Sequence, residues 1–155
     1  MLKPGDIIHG FAKNLYTPKY KYAVCLYRDD NLEVLLHFTT SQPRAGVPED
    51  KISHGAIYNQ KGDCLSYVFE AGKEIGVDPK SKVRFSFPKR TVMVFHYGLL
   101  KVNESSIREQ FDDLKVVCKL DMEEYINLVY AMYKSKSTPK EHIPYLQKIL
   151  DNYYK

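Results

Sequence analysis

The chain has 155 residues, enough for one domain (1–155) with a buried core, and its 44% hydrophobic and 27% charged residues are typical of soluble globular proteins. No apolar run approaches the ~18 residues that span a bilayer, and the first residues lack the apolar segment of a secretion signal. The three cysteines are far apart and odd in number, which favours reduced thiols over a disulfide framework. These features predict a cytoplasmic protein that does not associate with a membrane.

The net charge of +4 is unevenly distributed along the chain. Residues 1–28 hold five basic residues and one acidic residue, and residues 78–101 hold six basic residues and one acidic residue. Residues 29–77 hold four basic and eight acidic residues. If the two basic segments adjoin in one sheet, they form a positive face suited to phosphate. The alternative is that the lysines only decorate solvated strand edges.

The first predicted elements are a short strand, Ile7–His9, and a long loop, Gly10–Lys19. The loop has no hydrophobic period and contains several turn residues. Its side chains include Lys13, Tyr16 and Lys19, a mixture of cations and aromatics that binds single-stranded nucleic acid through charge and stacking. An ordinary connection between two strands is the alternative interpretation.

Residues 20–42 predict a β-hairpin. The two strands, Tyr20–Arg28 and Leu32–Thr40, are rich in aromatic and β-branched residues. Asp29–Asn31 favours a turn between them, because short Asx side chains bond their own backbone and tolerate positive φ.

A candidate site follows from the register of this hairpin. With the turn centred at residue 30, Lys21 lies opposite Thr39 or Thr40 at the open end of the hairpin. Ser41 and Arg44 follow directly. A cation and several hydroxyl groups are therefore expected to meet there. A slip of the register by one residue would instead place alternate side chains on the other face.

Short strands continue through the middle of the chain. Ala56–Tyr58 and Cys64–Phe69 flank a turn-forming segment, Val83–Phe87 alternates apolar and polar residues, and Thr91–Tyr97 is nearly all apolar. Many short strands without a βαβ rhythm predict a mainly β fold, a small barrel or sandwich. We expect a barrel of about five to seven strands over residues 1–102.

The remainder, residues 103–155, is predicted to be mainly helical. Asn103 or Ser105 is a candidate cap for a short helix carrying Ile107 and Phe111, whereas Leu114–Leu120 leaves strand and helix open.

Two longer helices follow. Asp121 and Glu124 have capping-box spacing, and Leu128, Val129 and Met132 then form an apolar stripe that suits either a dimer interface or the core. Thr138–Glu141 is a second capping-box pattern, and Pro144 predicts a break before a helical segment that runs to about residue 153.

Three motifs in order resemble the MazF/PemK family of ribonuclease toxins. Pro4–Ile7 is similar to the family's opening G-D-I/V strand, Lys21–Leu26 to its R-P-x-x-V-L strand, and Phe38–Gln42 to its strand ending in T-S. Cys118–Glu124 is similar to the last strand and acidic helix of the family. The resemblance covers roughly residues 4–41 and 115–133, and residues 135–155 look like an addition.

The resemblance implies an SH3-like β-barrel that forms a homodimer, binds a cognate antitoxin protein, and cuts single-stranded RNA without a metal or other cofactor. The family's catalytic arginine falls on Lys21, its proline on Tyr22 and its threonine on Thr40, with Ser41 following. Lysine keeps the charge but loses the bidentate fork of arginine. Arg28 or Arg44 is then a candidate source of a guanidinium group.

The chemistry that this family implies is attack by the ribose 2′-hydroxyl on the adjacent phosphate. Cations and hydroxyl donors stabilise the charge that builds on the phosphoryl oxygens, and a proton shuttle assists. The predicted catalytic residues are Lys21, Thr40 and Ser41. The predicted RNA-binding residues are Lys13, Tyr16, Lys19, Tyr20, Thr39 and Arg44. Candidate shuttles are His9 and His54, because His37 and Thr40 are three residues apart on one strand and point to opposite faces.

Other functions have weaker support in the sequence. Cys64 with His54 is a conceivable nucleophilic pair, but the apolar surroundings of the cysteine favour a buried thiol. The histidines show no metal-binding spacing, and no glycine-rich phosphate loop occurs. The main alternative to a nuclease is a non-catalytic SH3-like module that binds RNA or a protein peptide, since the thirteen tyrosines suit stacking, a peptide groove or a core.

Overall fold

The computed structural model describes residues 2–31, 33–41 and 49–155. In this part of the chain all strand pairs are antiparallel, and the mainly β fold with C-terminal helices is confirmed. The elements in chain order are β1 (Asp6–Ala12), β2 (Lys19–Arg28), β3 (Glu33–Phe38), β4 (Gly55–Tyr58), β5 (Cys64–Phe69), β6 (Gly76–Val77), β7 (Arg84–Phe85), β8 (Thr91–Val94), β9 (Leu99–Asn103), α1 (Glu104–Gln110), β10 (Phe111–Leu120), α2 (Met122–Lys134) and α3 (Ile143–Tyr153). Short 3₁₀ helices lie at Glu49–Lys51 and Lys140–His142.

The strands of the described residues form two sheets. The larger has the order β7-β6-β10-β1-β2-β3-β9, and the smaller has the order β4-β5-β8. A backbone bridge joins them, because the N–H of Thr40 donates to the Val92 carbonyl (2.8 Å) and the N–H of Val92 donates to the Thr40 carbonyl (2.7 Å). The pairing of the described residues does not close into the expected barrel, since β6 and β7 extend the larger sheet beyond β10 to an open edge.

The β2–β3 hairpin forms with the predicted turn. The Asp29 carboxylate accepts hydrogen bonds from the backbone N–H groups of Asn31 (2.9 Å) and Glu33 (3.0 Å), which is the expected Asx chemistry. Ala23 lies opposite Phe38, the register that places Lys21 across from Thr40. A bulge near the turn shifts the register by one residue, but it leaves the open end of the hairpin as predicted.

The first strand is longer than expected. Gly10, Phe11 and Ala12 belong to β1, because they pair with residues of β2, and the connecting loop is limited to residues 13–18. Glycine suits position 10, since an added Cβ would lie 3.1 Å from the Phe111 ring and 3.2 Å from backbone atoms of β10.

The predicted boundary between barrel and helical part is wrong. The strand β10 lies beyond residue 103, yet it pairs with β1 on one side and with β6 on the other. Leu114–Leu120, left open between strand and helix, is therefore an interior strand of the larger sheet. Phe111 begins this strand instead of lying in the preceding helix, which starts after Asn103 as predicted.

The helix α2 packs against α3 and against β4 and β5 of the smaller sheet, and α3 contacts β2 of the larger sheet. Leu128, Val129 and Met132 are fully buried in the core of this chain, together with residues of α3 and of both sheets. The apolar stripe is thus core, and it provides no argument for a dimer interface. None of the described helices is long and apolar enough to cross a membrane.

The helix starts agree with the prediction, but the capping boxes do not form. Asp121 precedes α2 with its carboxylate turned to the Arg84 guanidinium (2.9 and 2.5 Å), and it makes no cap hydrogen bond. The Thr138 hydroxyl donates to the Met132 carbonyl (2.6 Å). Pro144 lies in the first turn of α3, where proline is tolerated.

Replacing Gly76 with alanine should destabilise the fold by about 1–3 kcal/mol, because the site is overpacked. A Cβ at this position would lie 2.2 Å from the Lys119 carbonyl oxygen and 2.6 Å from the Cys118 Sγ, so backbone must move. Urea unfolding measures the loss. The control is Gly62→Asn, which has open space and a turn conformation that asparagine tolerates (φ +84°), and it should change stability little. Equal stability of the two variants would contradict this packing argument.

Candidate active site

A cavity of about 300 Å³ lies at the open end of the β2–β3 hairpin. We refer to it as the hairpin-end cavity. It brings together the three predicted catalytic residues and three of the predicted RNA-binding residues. Its lining consists of Lys19, Tyr20, Lys21, Tyr22, Thr39, Thr40, Ser41, Pro88, Lys89, Arg90 and Thr91.

Lys21 is held at this cavity by strand pairing and by one hydrogen bond. Its Nζ donates to the Thr39 carbonyl oxygen at 2.7 Å. An ammonium group has three N–H donors, so two remain for a ligand. Burial, and secondarily the charge of Lys19, lowers the pKa of Lys21 below its ordinary value. Lys21 is therefore a partly desolvated cation, which interacts with an anion more strongly than a fully hydrated lysine does.

The hydroxyl residues on the other strand have different roles. The Thr39 side chain is buried, and its hydroxyl donates to the Tyr22 carbonyl (3.2 Å), so that hydrogen is used within the sheet. The backbone of Thr40 is fixed by its bridge to Val92, which anchors the hairpin end against the smaller sheet. Ser41 is exposed at the rim of the cavity.

The remaining predicted RNA-binding residues are not all gathered here. Tyr20 lines the cavity with its side chain 54% exposed, and its ring stacks on His9 with centroids 5.3 Å apart. Lys13 and Tyr16 lie on the β1–β2 loop outside the cavity lining; Lys13 pairs with Asp112 at 3.3 Å, and Tyr16 is fully exposed. Arg44 lies outside the described residues.

Two cations of the cavity, Lys89 and Arg90, were missed by the sequence analysis. They belong to the segment just before β8, and the bridge between Thr40 and Val92 brings that segment to the hairpin. The basic segment 78–101 was the sequence feature that pointed to these two residues. The local sequence does not determine which strand end this segment contacts. Arg28, considered as a guanidinium source, is bound to Glu104 (2.5 Å) beside the N-terminus and does not line this cavity.

The histidines weighed as proton shuttles, including the disfavoured His37, lie elsewhere. His37 is fully buried, with Nδ1 2.6 Å from the Phe38 carbonyl and Nε2 3.1 Å from the Val94 carbonyl, and burial lowers its pKa to about 4. His9 packs against the ring of Tyr22, and its pKa is lowered by burial and by Lys115. Neither histidine is among the described residues that line the hairpin-end cavity.

His54 belongs to a second, larger cavity of about 530 Å³ between the smaller sheet and α2. Its Nε2 lies 2.9 Å from both carboxylate oxygens of Glu124, and its Nδ1 accepts the backbone N–H of Glu70 (3.2 Å). The Tyr67 hydroxyl also donates to Glu124. Burial acts to raise the pKa of Glu124, but the hydrogen bonds from His54 and Tyr67 leave it below its ordinary value. Both ring nitrogens of His54 are occupied, so it offers no free base.

The same contacts exclude a Cys64–His54 nucleophilic pair. The Cys64 thiol is buried and donates to the Ser66 carbonyl (3.7 Å), and burial raises its pKa. A reactive cysteine needs a lowered pKa and a nearby base. Within the part of the chain that the structure describes, no three His, Cys, Asp or Glu side chains converge as metal ligands do.

Comparison with known proteins finds no matching family model, no matching curated protein and no matching solved structure. The geometry and chemistry of the hairpin-end cavity therefore carry the functional argument.

Proposed function

We propose that this chain is a MazF/PemK-type toxin with an SH3-like core, an endoribonuclease that cleaves single-stranded RNA without a metal. The observation that carries the proposal is the hairpin-end cavity, where Lys21, Thr40 and Ser41 meet. These are the positions that match the family's catalytic motif. Two further basic residues, Lys89 and Arg90, line the same cavity, and Lys89 adds positive charge for a phosphate.

The proposed reaction is an internal transfer. The ribose 2′-hydroxyl gives up its proton to water, and its oxygen forms a bond to phosphorus. The bond from phosphorus to the 5′-oxygen breaks and that oxygen takes up a proton, which leaves a 2′,3′-cyclic phosphate and a 5′-hydroxyl. Negative charge grows on the phosphoryl oxygens in the transition state. The two remaining N–H groups of Lys21 and the hydroxyl groups of Thr40 and Ser41 are suited to stabilise this charge.

Lys21 is also the candidate donor of the proton that the leaving 5′-oxygen requires. Its pKa is lowered by burial and by Lys19, which makes the ammonium a better acid near neutral pH. Charge stabilisation and proton donation by this residue predict different results for its replacement by arginine.

The proposed path of the RNA runs along the basic and aromatic side chains around the cavity. Lys19 and Lys89 are suited to backbone phosphates, and the exposed face of Tyr20 is suited to a stacked base. Lys13 and the fully exposed Tyr16 extend this path along the β1–β2 loop. Arg44 is a further proposed contact outside the described residues.

The wider biology follows from the family resemblance alone. We propose a cytoplasmic homodimer that is neutralised by a cognate antitoxin protein and needs no cofactor. Light scattering at tens of micromolar tests the dimer, and a neighbouring small reading frame that encodes a DNA-binding segment with an acidic tail is the expected genetic context.

A non-catalytic module that binds RNA or a peptide is the second candidate. It is favoured by one observation: His9, His37 and His54 do not line the hairpin-end cavity described here. Production of the protein without an antitoxin separates the two functions. A nuclease toxin should arrest growth, and a binding module should not.

The purified protein should cleave single-stranded RNA in the presence of EDTA and leave a 2′,3′-cyclic phosphate. Thr40→Val should lower the rate roughly tenfold, since it removes one neutral hydroxyl donor but keeps the backbone bridge to Val92. Thr40→Ala should act in the same direction. Gel analysis with end-group determination measures both effects.

The chemical control is the same RNA with a 2′-deoxy sugar at each cleaved position, which should resist cutting because the internal nucleophile is missing. A requirement for a divalent ion, or unimpaired cleavage by Thr40→Val, would refute this mechanism.

A further inference from the structure

We propose that Arg90 is a phosphate clamp of the hairpin-end cavity, that Glu49 occupies it in the free protein, and that an RNA phosphate displaces Glu49. In this arrangement Glu70 is a positioning residue that remains bound and orients the guanidinium. The inference rests on the proposed function, because it takes single-stranded RNA as the ligand of the same cavity.

Arg90 lies between the cavity and two carboxylates. Its side chain lines the cavity together with Lys21, while its Nε lies 2.9 Å from Glu70 Oε1 and its Nη1 lies 2.5 Å from Glu49 Oε1. A guanidinium has five N–H donors in a planar fork. The two ion pairs therefore leave donors on the Nη groups for a second acceptor.

The two carboxylates differ in how firmly they are held. The Glu70 side chain is 34% exposed, and its backbone is fixed at the end of β5, where its N–H donates to His54. The Glu49 side chain is 75% exposed. The residue is the first of a single 3₁₀ turn. Exposed ion pairs are weak and screened by salt. Glu49 is thus the partner that a phosphate displaces more easily.

The chemistry of the ligand explains why the exchange is favourable. A phosphate diester offers two oxygens to the Nη edge of Arg90 and interacts at the same time with the Lys21 ammonium. Lysine has no bidentate fork, so Arg90 supplies the planar recognition that Lys21 lacks. Glu49 in place opposes an incoming phosphate by charge repulsion and by occupying Nη1.

The first test is binding of a mixed-sequence 2′-O-methyl RNA, which cannot be cleaved by the proposed route. Glu49→Gln should bind it about two- to fivefold more tightly at low salt, because a weak competing ion pair is lost, and the gain should shrink at high salt. The matched control is Glu123→Gln, which removes the same charge from an exposed position on α2 outside the hairpin-end cavity. Fluorescence anisotropy measures both.

The second test is a double-mutant cycle with Arg90→Ala. If Glu49 acts through Arg90, Glu49→Gln should give no gain in the Arg90→Ala background. Glu70→Gln should impair cleavage, because the guanidinium loses its orientation. The fold-decrease in kcat should be about ten times the fold-increase in KM.

These outcomes separate the clamp from the nuclease. A Glu49→Gln gain equal to that of Glu123→Gln, a gain that persists with Arg90→Ala, or no binding of the 2′-O-methyl RNA overturns the clamp. If the parent protein cuts RNA while Glu49→Gln matches its control, the clamp fails alone. If the Arg90-dependent gain occurs and no RNA is ever cut, the clamp stands and the nuclease function fails.

Discussion

Replacing Lys21 with alanine is expected to lower the rate of RNA cleavage roughly 10²–10³-fold, by analogy with the loss of a transition-state donor. The Nζ of Lys21 is anchored on the Thr39 carbonyl at 2.7 Å and is partly desolvated, so the ammonium is held at the cavity and keeps two N–H groups for a phosphate. The measurement is single-turnover cleavage of a labelled RNA. Lys148→Ala, at an exposed position of α3, is the matched control and should leave the rate unchanged.

Lys21→Arg separates the two roles proposed for this residue. If Lys21 contributes charge alone, arginine should hold or raise the rate, because it restores the fork that matches a phosphate. If Lys21 donates a proton, arginine should abolish cleavage, because its pKa lies too high for proton transfer.

The pH profile gives an independent check on Lys21. Because the pKa of Lys21 is lowered, a rate that needs the ammonium should fall as pH rises through that lowered pKa. In a fully active Lys21→Arg variant, the alkaline fall due to Lys21 should disappear. Cleavage by Lys21→Ala as fast as by the parent would remove Lys21 from the mechanism.

Acidification from pH 6.5 to about 4 is expected to cost roughly 3 kcal/mol of folding stability through His37 alone. This side chain is fully buried, and burial lowers its pKa from 6.5 to about 4, although the carbonyls of Phe38 and Val94 lie beside its two ring nitrogens and favour the protonated ring. Above pH 6.5 the histidine is neutral in both the folded and the unfolded chain. Between pH 6.5 and 4 the unfolded chain binds the proton and the folded chain does not, so stability falls as pH falls.

Urea unfolding at a series of pH values measures this effect. His37→Gln should flatten the dependence of the unfolding free energy on pH over this window, whatever its effect on stability at neutral pH. His96→Gln, at an exposed position, is the control and should keep the slope of the parent. A parent slope that His37→Gln leaves unchanged would show that His37 does not carry the acid sensitivity.

Much of the local structure could be predicted from short stretches of sequence. The β2–β3 hairpin follows from alternating strand residues and from the Asp29 carboxylate, which closes the turn on nearby N–H groups. The starts of α2 and α3 follow from an acidic first turn and from Pro144. These signals lie within a few residues of the element they specify, so no distant contact is needed to interpret them.

Part of the candidate site was predictable for the same reason. The position of Lys21 across from Thr40 depends only on turn counting within one hairpin, and the bulge beside Cys25 lies on the turn side of that pair. The roles of the hydroxyl groups were not predictable. Whether a threonine hydroxyl faces the cavity or bonds a carbonyl, as Thr39 does with Tyr22, depends on how the finished strand end is packed.

The partners of the longer-range contacts were decided by the tertiary structure. The composition of Leu114–Leu120 suits a strand or a helix. This segment is a strand because it pairs with the edges of β1 and β6, whose backbone groups need hydrogen-bond partners. Glu124 has the spacing of a capping residue, but burial beside His54 and Tyr67 provides two donors and turns its carboxylate away from the helix start.

Arg90 is the clearest case of the same division. In the sequence, Arg90 is a basic residue just before an apolar strand. Such a position is typical of an ordinary loop. Its place in the same cavity as Lys21 depends on the backbone bridge between Thr40 and Val92, two residues that are far apart in the chain. The hairpin and its cation could be predicted from the sequence, because both depend on residues close together in the chain. The fold alone decided which second cation and which carboxylates meet it, because sheet-to-sheet pairing depends on distant hydrogen-bonding edges and on burial.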